Sequence, residues 1–212
     1  MKPEEHVRYW LDSCPAAAWA EGITWYDEAA EFIHRLSTET GVPDVAIAGV
    51  VAALSPSVYW GLNKRQAEAM VRQYADSGME HIDLVPTSTY GGQVKKAHRI
   101  LALDCPATND VERILGRRAF KTRAFFRNLL RLASPDVCVD THIVRALGWE
   151  DRFTQSARWC YDRLAAAIAT VAVERGMKPC TVQAIVWCSY KHQTEAYNAQ
   201  ERYDRKHDIA PF

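Results

Sequence analysis

The sequence predicts an all-α protein. Apolar residues recur at helical spacing in segment after segment, no period-2 alternation of useful length occurs, and Gly, Pro, Asn and Asp fall where helices start and stop. Ala29, Phe32, Ile33 and Leu36 define a helix between Trp25 and Thr40, stopped by Gly41-Val42-Pro43. Asp44 is placed to cap the next helix, Val45 to Leu54, which is apolar nearly all round and therefore expected to be central. Ser55-Pro56 ends it, and the polar, aromatic turn "SPSVYWG" follows. Asn63 to Tyr74 is the next helix, closed by Ser77-Gly78. His81 to Gly92 reads as a loop around Pro86 and the Gly91-Gly92 pair. Lys95 to Leu103 is a short helix, and Asn109 or Asp110 caps a helix running to Leu115-Gly116. Lys121 to Ala133 is helical until Ser134-Pro135-Asp136 breaks it. Thr141 to Leu147 follows Asp140, and Gly148 fits its C-terminus. Arg158 to Arg175 is alanine-rich and closed by Gly176; Thr181 to about Ala199 is the last helix before a polar tail to Phe212.

With 212 residues, the chain is long enough for one packed domain or two small lobes sharing a cleft. Its apolar and charged fractions are those of an ordinary globular protein, and no apolar run reaches the roughly 20 residues that cross a bilayer. The start "MKPEEHVRYW" carries acids early and no apolar stretch, so no signal peptide is expected. The six cysteines are scattered, with no CxxC pair, which argues against a zinc ribbon and for reduced thiols in a cytoplasmic protein.

Net charge is zero, but the charge is unevenly placed. Between Val111 and Arg131 stand Arg113, Arg117, Arg118, Lys121, Arg123, Arg127 and Arg131, with Glu112 the single acid. A one-signed run of this kind predicts basic side chains open to phosphates. On a helical wheel at about 100° per residue, Phe125, Phe126, Leu129, Leu130, Leu132 and Ala133 fill one arc, and Arg123, Arg127 and Arg131 line the other side. Lys121 falls at the edge of the apolar arc, at the lip of a pocket or simply at a helix start.

The stretch "VCVDTHIVRALG" places the Asp140 carboxylate where a buried segment becomes a helix. Capping explains it, and a catalytic carboxylate explains it too, since one oxygen can cap while the other faces a pocket. Four blocks in order carry a resemblance: "VVAALSPSVYWGLNKRQAEAM", "YGGQVKKAHRIL", "LGRRAFKT" and "VCVDTHIVRALG". Together, over about Val45 to Gly148, they resemble the helix-hairpin-helix DNA glycosylases of the endonuclease III type (the HhH-GPD superfamily). The blocks "AALSP", "KTRAFFRNL" and "VQAIVW" also look like small phage and actinobacterial proteins of unassigned function.

The resemblance implies an all-α, two-lobed fold with DNA in a central cleft. Residues 1–212 would form one such domain, with one lobe over about 45–133 and the other over about 1–44 plus 134–212. It implies Asp140 as the catalytic carboxylate and Lys121, 19 positions before it, as the amine nucleophile. Gly116, Arg117, Arg118, Arg123, Arg127, Ser57, Asn63 and Lys64 would contact DNA; Val139 and Thr141 would hold the aspartate loop. Tyr59, Trp60 and His142 would meet the flipped base, although packing explains all three as well, and Gln183 and Trp187 are secondary candidates for lining the cleft. Two departures matter. The hairpin keeps Gly116 but has Ala119 where a second glycine is usual, and the four-cysteine loop of an iron–sulfur cluster is absent. The expected protein is a monomer that needs no cofactor, acts on double-stranded DNA and does not engage membranes. Its expected function is DNA N-glycosylase activity, with AP-lyase activity through Lys121. A phage-type enzyme acting on hypermodified pyrimidines and a non-catalytic DNA-binding module are the alternatives.

Overall fold

The computed structural model describes residues 1–132, 136–152 and 157–194. Among them all regular structure is helical, as α1 (Pro3–Asp12), α2 (Ala16–Thr40), α3 (Asp44–Leu54), α4 (Trp60–Ser77), α5 (Gly91–Leu101), α6 (Thr108–Leu115), α7 (Phe120–Leu129), α8 (Thr141–Ala146), α9 (Arg158–Glu174) and α10 (Pro179–Gln193), with one 3₁₀ turn at Ile82–Leu84. The chain forms two compact units. One comprises Met1–Glu28 with Arg131–Phe212, the other Ala29–Leu130.

In the Ala29–Leu130 unit, α4, α5, α6 and α7 pack on α3. Every residue of α3 from Ala46 to Leu54 is buried. Its alanines and Gly49 let neighbouring helices approach closely: a Cβ on Gly49 would lie 2.7 Å from Val111 Cγ1 and 3.1 Å from Ile100 Cγ2. In the other unit, α1 packs on α8, α9 and α10, and α10 also packs on α8 and α9. Ion pairs Arg8–Glu174, Arg163–Glu4 and Arg175–Asp12 tie α1 to α9 and the residue after it. These pairs are largely solvated, so burial of Val7, Leu11, Leu164, Ile168 and Val171 dominates the packing there.

Several sequence expectations shift. Helix α1 and the first half of α2 carry no helix in the sequence reading; Pro3 at the first helical position and a Glu5 side chain accepting from the Lys2 backbone N–H start α1. Asp44 lies inside α3, with Pro43 at its cap position. Gly91 and Gly92 open α5 rather than belonging to the loop before it. Asn109 and Asp110 are within the first turn of α6, whose cap residue is Ala107. Helix α7 stops at Leu129, and Arg131 leaves it with φ +54°. The Ser134-Pro135 break, the extension of the last helix to Ala199 and the tail to Phe212 lie outside the described residues. All six cysteines are free; Cys138, Cys160, Cys180 and Cys188 are buried, Cys14 is half-buried and Cys105 is exposed.

Gly22 shows how close the packing is. A Cβ there would lie 2.6 Å from the Ile185 Cα on α10, and that backbone cannot swing aside as a side chain would. Alanine normally gains about 0.5–1 kcal/mol over glycine inside a helix, but overpacking costs about 1–3 kcal/mol. Gly22→Ala is therefore expected to lower the thermal midpoint by roughly 2–6 °C in a melt followed by circular dichroism.

Candidate functional site

Helices α6 and α7 are joined by the four residues 116–119. Gly116 takes φ +105°, a conformation that side chains disfavour, and its N–H donates to Glu112 O at 3.0 Å. Ala119 has a negative φ (−84°), which a residue with a Cβ can adopt, and its N–H donates to Gly116 O at 3.1 Å. Arg117 and Arg118, at the tip of the turn, are exposed.

Lys121 is the second residue of α7. Its Nζ donates to Ser55 Oγ at 2.9 Å and stands 5.3 Å from the centre of the Phe125 ring. Phe125 meets Trp60 edge-on, and Trp60 in turn meets Phe32. Lys64 Nζ lies 5.4 Å from the Trp60 ring centre and 5.9 Å from that of Phe32. Tyr59 accepts a hydrogen bond at its hydroxyl from Arg65 at 2.8 Å. Beside them, Ser57 adopts φ +63° and shares a 2.9 Å hydrogen bond with the hydroxyl of Tyr90, whose side chain is 64% exposed. Thr89 Oγ1 donates to Pro56 O, fastening the same turn. The helix start of α7, the turn after α3 and the residues before α5 therefore form one face of cations and aromatic rings.

Asn63 was expected to contact DNA. It is instead 1% exposed, and its Nδ2 donates to Val51 O at 3.1 Å. That carbonyl lies in the last turn of α3 and needs a donor. Asn63 is a helix-end residue with no route to a phosphate.

The arginine stripe is also not what the charge run predicts. Arg123 and Arg127 converge on Glu112, donating to both its carboxylate oxygens, with Arg127 Nη2 to Glu112 Oε2 at 2.8 Å. Arg113 pairs with Asp110, and Arg131 pairs with Asp27. Glu112 is buried, so the single acid of the run holds two arginines and offsets one of their two charges. Arg127, its strongest hydrogen-bond donor, together with Arg123 outweighs burial and holds the Glu112 carboxyl below the ordinary glutamate range. Arg117 and Arg118 are exposed at the turn, and Arg113, though beside Asp110, keeps its side chain 77% exposed.

In the other unit Asp140 is the N-cap of α8, its Oδ1 accepting from the Ile143 N–H at 2.8 Å. The segment leading to it is held by Tyr161. That hydroxyl donates to Val137 O at 2.6 Å and accepts from the Val139 N–H at 3.3 Å. Burial pushes the Tyr161 phenol well up, so it stays protonated and keeps donating. Thr141 is exposed at the start of the helix. His142 meets the Trp187 ring edge-on and the Tyr190 ring at a tilt. Gln183 is buried and accepts from the Tyr26 hydroxyl at 2.8 Å, which makes it a core residue. No three His, Cys, Asp or Glu side chains gather to hold a metal ion among the described residues.

Sequence reasoning missed Ser55, Glu112, Tyr90 and Tyr161. Ser55 carried a signal, the residue that ends an all-apolar helix; the other three become visible only through contacts with residues 11 to 33 positions away.

These helices, with a cation–aromatic face around Lys121 and a capped carboxylate at Asp140, define an all-α protein with candidate residues in both units. The chain belongs to the family of unknown function DUF7178, whose model matches residues 5–194. No curated protein and no solved structure matches it.

Two substitutions test this geometry. Glu112→Gln removes a buried counter-charge and is expected to cost about 2–4 kcal/mol at neutral pH. Because folding lowers the Glu112 pKa below its ordinary 4.5, that difference is complete above about pH 5. It shrinks as pH falls through the lowered value, which thermal melts of both proteins at stepped pH will read. Tyr161→Phe leaves the buried Val137 carbonyl without its donor and is expected to cost about 1–3 kcal/mol, with faster hydrogen exchange at the Val139 amide.

Proposed function

We propose that this protein is a DNA N-glycosylase of helix-hairpin-helix type that also cleaves the resulting abasic site, with Lys121 as nucleophile and Asp140 as the stabilising carboxylate. The observation that carries the reading is the α6–turn–α7 arrangement. Gly116 at positive φ shapes the turn, Arg117 and Arg118 project from it, and Lys121 follows immediately with its amine held by Ser55. A helical hairpin of this shape brings backbone N–H groups and arginines to a phosphate while presenting an amine one turn further on.

The chemistry proceeds as follows. The lone pair of the neutral Lys121 amine attacks C1′ of the flipped nucleotide. The bond from C1′ to the base breaks, and the base leaves with its electron pair and takes up a proton. The nitrogen loses a proton as the new N–C1′ bond forms. Ring opening then yields an iminium at C1′ and a hydroxyl at C4′, and loss of a C2′ proton expels the 3′ phosphate. Positive charge builds on the sugar before and during base loss, and the Asp140 carboxylate stabilises it. Capping leaves Asp140 Oδ2 for this task while Oδ1 holds the Ile143 amide. The target is a flipped damaged or modified base.

The test is borohydride trapping on duplexes carrying oxidised, deaminated or hypermodified pyrimidines, with a plain abasic duplex alongside. A covalent adduct is expected with the wild type and none with Lys121→Ala. Asp140→Asn keeps the cap, because asparagine caps as well as aspartate, yet removes the charge; base release should fall about 10²–10³-fold. Arg117→Ala should reduce the salt slope of DNA affinity by about one unit. Unchanged base release in Asp140→Asn would overturn the carboxylate's role. Salt-dependent duplex binding with no base release and no adduct on any of these duplexes would establish a non-catalytic DNA-binding module instead.

A further inference from the structure

We infer that Ser55 is a positioning residue for the Lys121 amine, an assignment that rests on reading Lys121 as the nucleophile. Ser55 occupies the C-cap of α3. Its hydroxyl donates to Ala52 O at 3.0 Å and accepts from Lys121 Nζ at 2.9 Å. A serine hydroxyl has one proton, and here it is committed to a helix carbonyl that can only accept. The polarity of the second contact follows: the lysine donates, and the oxygen lone pair fixes where the nitrogen lies. The Phe125 ring, 5.3 Å from Nζ, limits the amine on another side.

Two features make Ser55 suited to this role. The first is rigidity. Ser55 follows a helix whose residues 46–54 are all buried, so its backbone is set by the centre of the unit rather than by a surface loop. The second is the kind of acceptor. A hydroxyl can accept from either protonation state of the amine, and it lacks the negative charge by which a carboxylate strongly favours the ammonium. Within the same helix Arg123 and Arg127 meet the Glu112 carboxylate, and Lys121 donates to the Ser55 hydroxyl.

The experiment follows the Lys121 Nζ resonance of the full chain by lysine-selective NMR, assigned by its loss in Lys121→Ala, and runs beside single-turnover borohydride trapping on abasic duplex. Ser55→Asp should raise the Lys121 titration midpoint by about one pH unit or more and move the rising limb of the trapping pH profile by the same amount. Ser55→Ala should slow trapping about tenfold at saturating DNA with an unchanged Kd, and Ser55→Thr, which keeps the hydroxyl, should restore it. An unmoved Lys121 titration in Ser55→Asp together with wild-type trapping in Ser55→Ala would overturn the assignment. A wild type that traps on no duplex, yet shows the Ser55→Asp shift, would overturn the nucleophile reading while supporting the Ser55–Lys121 contact.

Discussion

Helix α3 has no solvent face, and the Ala29–Leu130 unit is organised by that constraint. A helix surrounded on all sides needs small residues where its neighbours come closest, and Ala46, Ala48, Gly49, Ala52 and Ala53 supply them. The last carbonyls of the helix lack intrahelical partners, and side chains supply donors to them. Asn63 takes the Val51 carbonyl and Ser55 returns its hydroxyl to Ala52. The candidate site sits on these end-of-helix partners. Ser55 has a lone pair to offer Lys121 because its proton already serves α3. The positive φ of Ser57, two residues later, carries the chain out of the buried helix and into the exposed turn.

How far this was legible depends on how local the determining interaction is. Asp140 as a cap follows from four consecutive residues, and the structure has it capping Ile143. The buried character of α3 follows from its composition, and the N-terminal ends of α4 and α5 lie earlier than expected because aromatic and glycine residues there have no strong helical preference of their own. The arginine run misled for a physical reason. Counting charge along the chain weights every residue alike, whereas Glu112 sits on the face of α6 turned toward α7 and serves Arg123 and Arg127 at once. A single buried acid then ties down two cations that the sequence shows as surplus, offsetting one of their two charges. Asn63 misled in the opposite way: a polar residue beside Lys64 looks like a surface contact until the carbonyl it satisfies is seen.

The same arrangement separates two uses of positive charge along one helix and the turn before it. Arg123 and Arg127 are structural cations, fixed by a buried carboxylate and unable to follow a ligand without leaving it uncompensated. Arg117 and Arg118 are exposed at a turn and carry their charge outward. Lys121 lies between the two groups with a neutral partner. The apparent surplus of the run thus resolves into a clamp at Glu112, two exposed arginines at the turn, one amine beside Ser55, and Arg113 and Arg131 each beside an aspartate.

The cysteines have a practical consequence. Four of the six thiols are buried, and burial pushes that of Cys188 well up, so it has little thiolate to offer an electrophile. Burial also raises the half-buried Cys14. Cys105 alone is fully exposed, in the short connection between α5 and α6. A maleimide fluorophore or nitroxide added to the unaltered protein will therefore react there first, attaching a spectroscopic reporter three residues before α6 without an engineered attachment point.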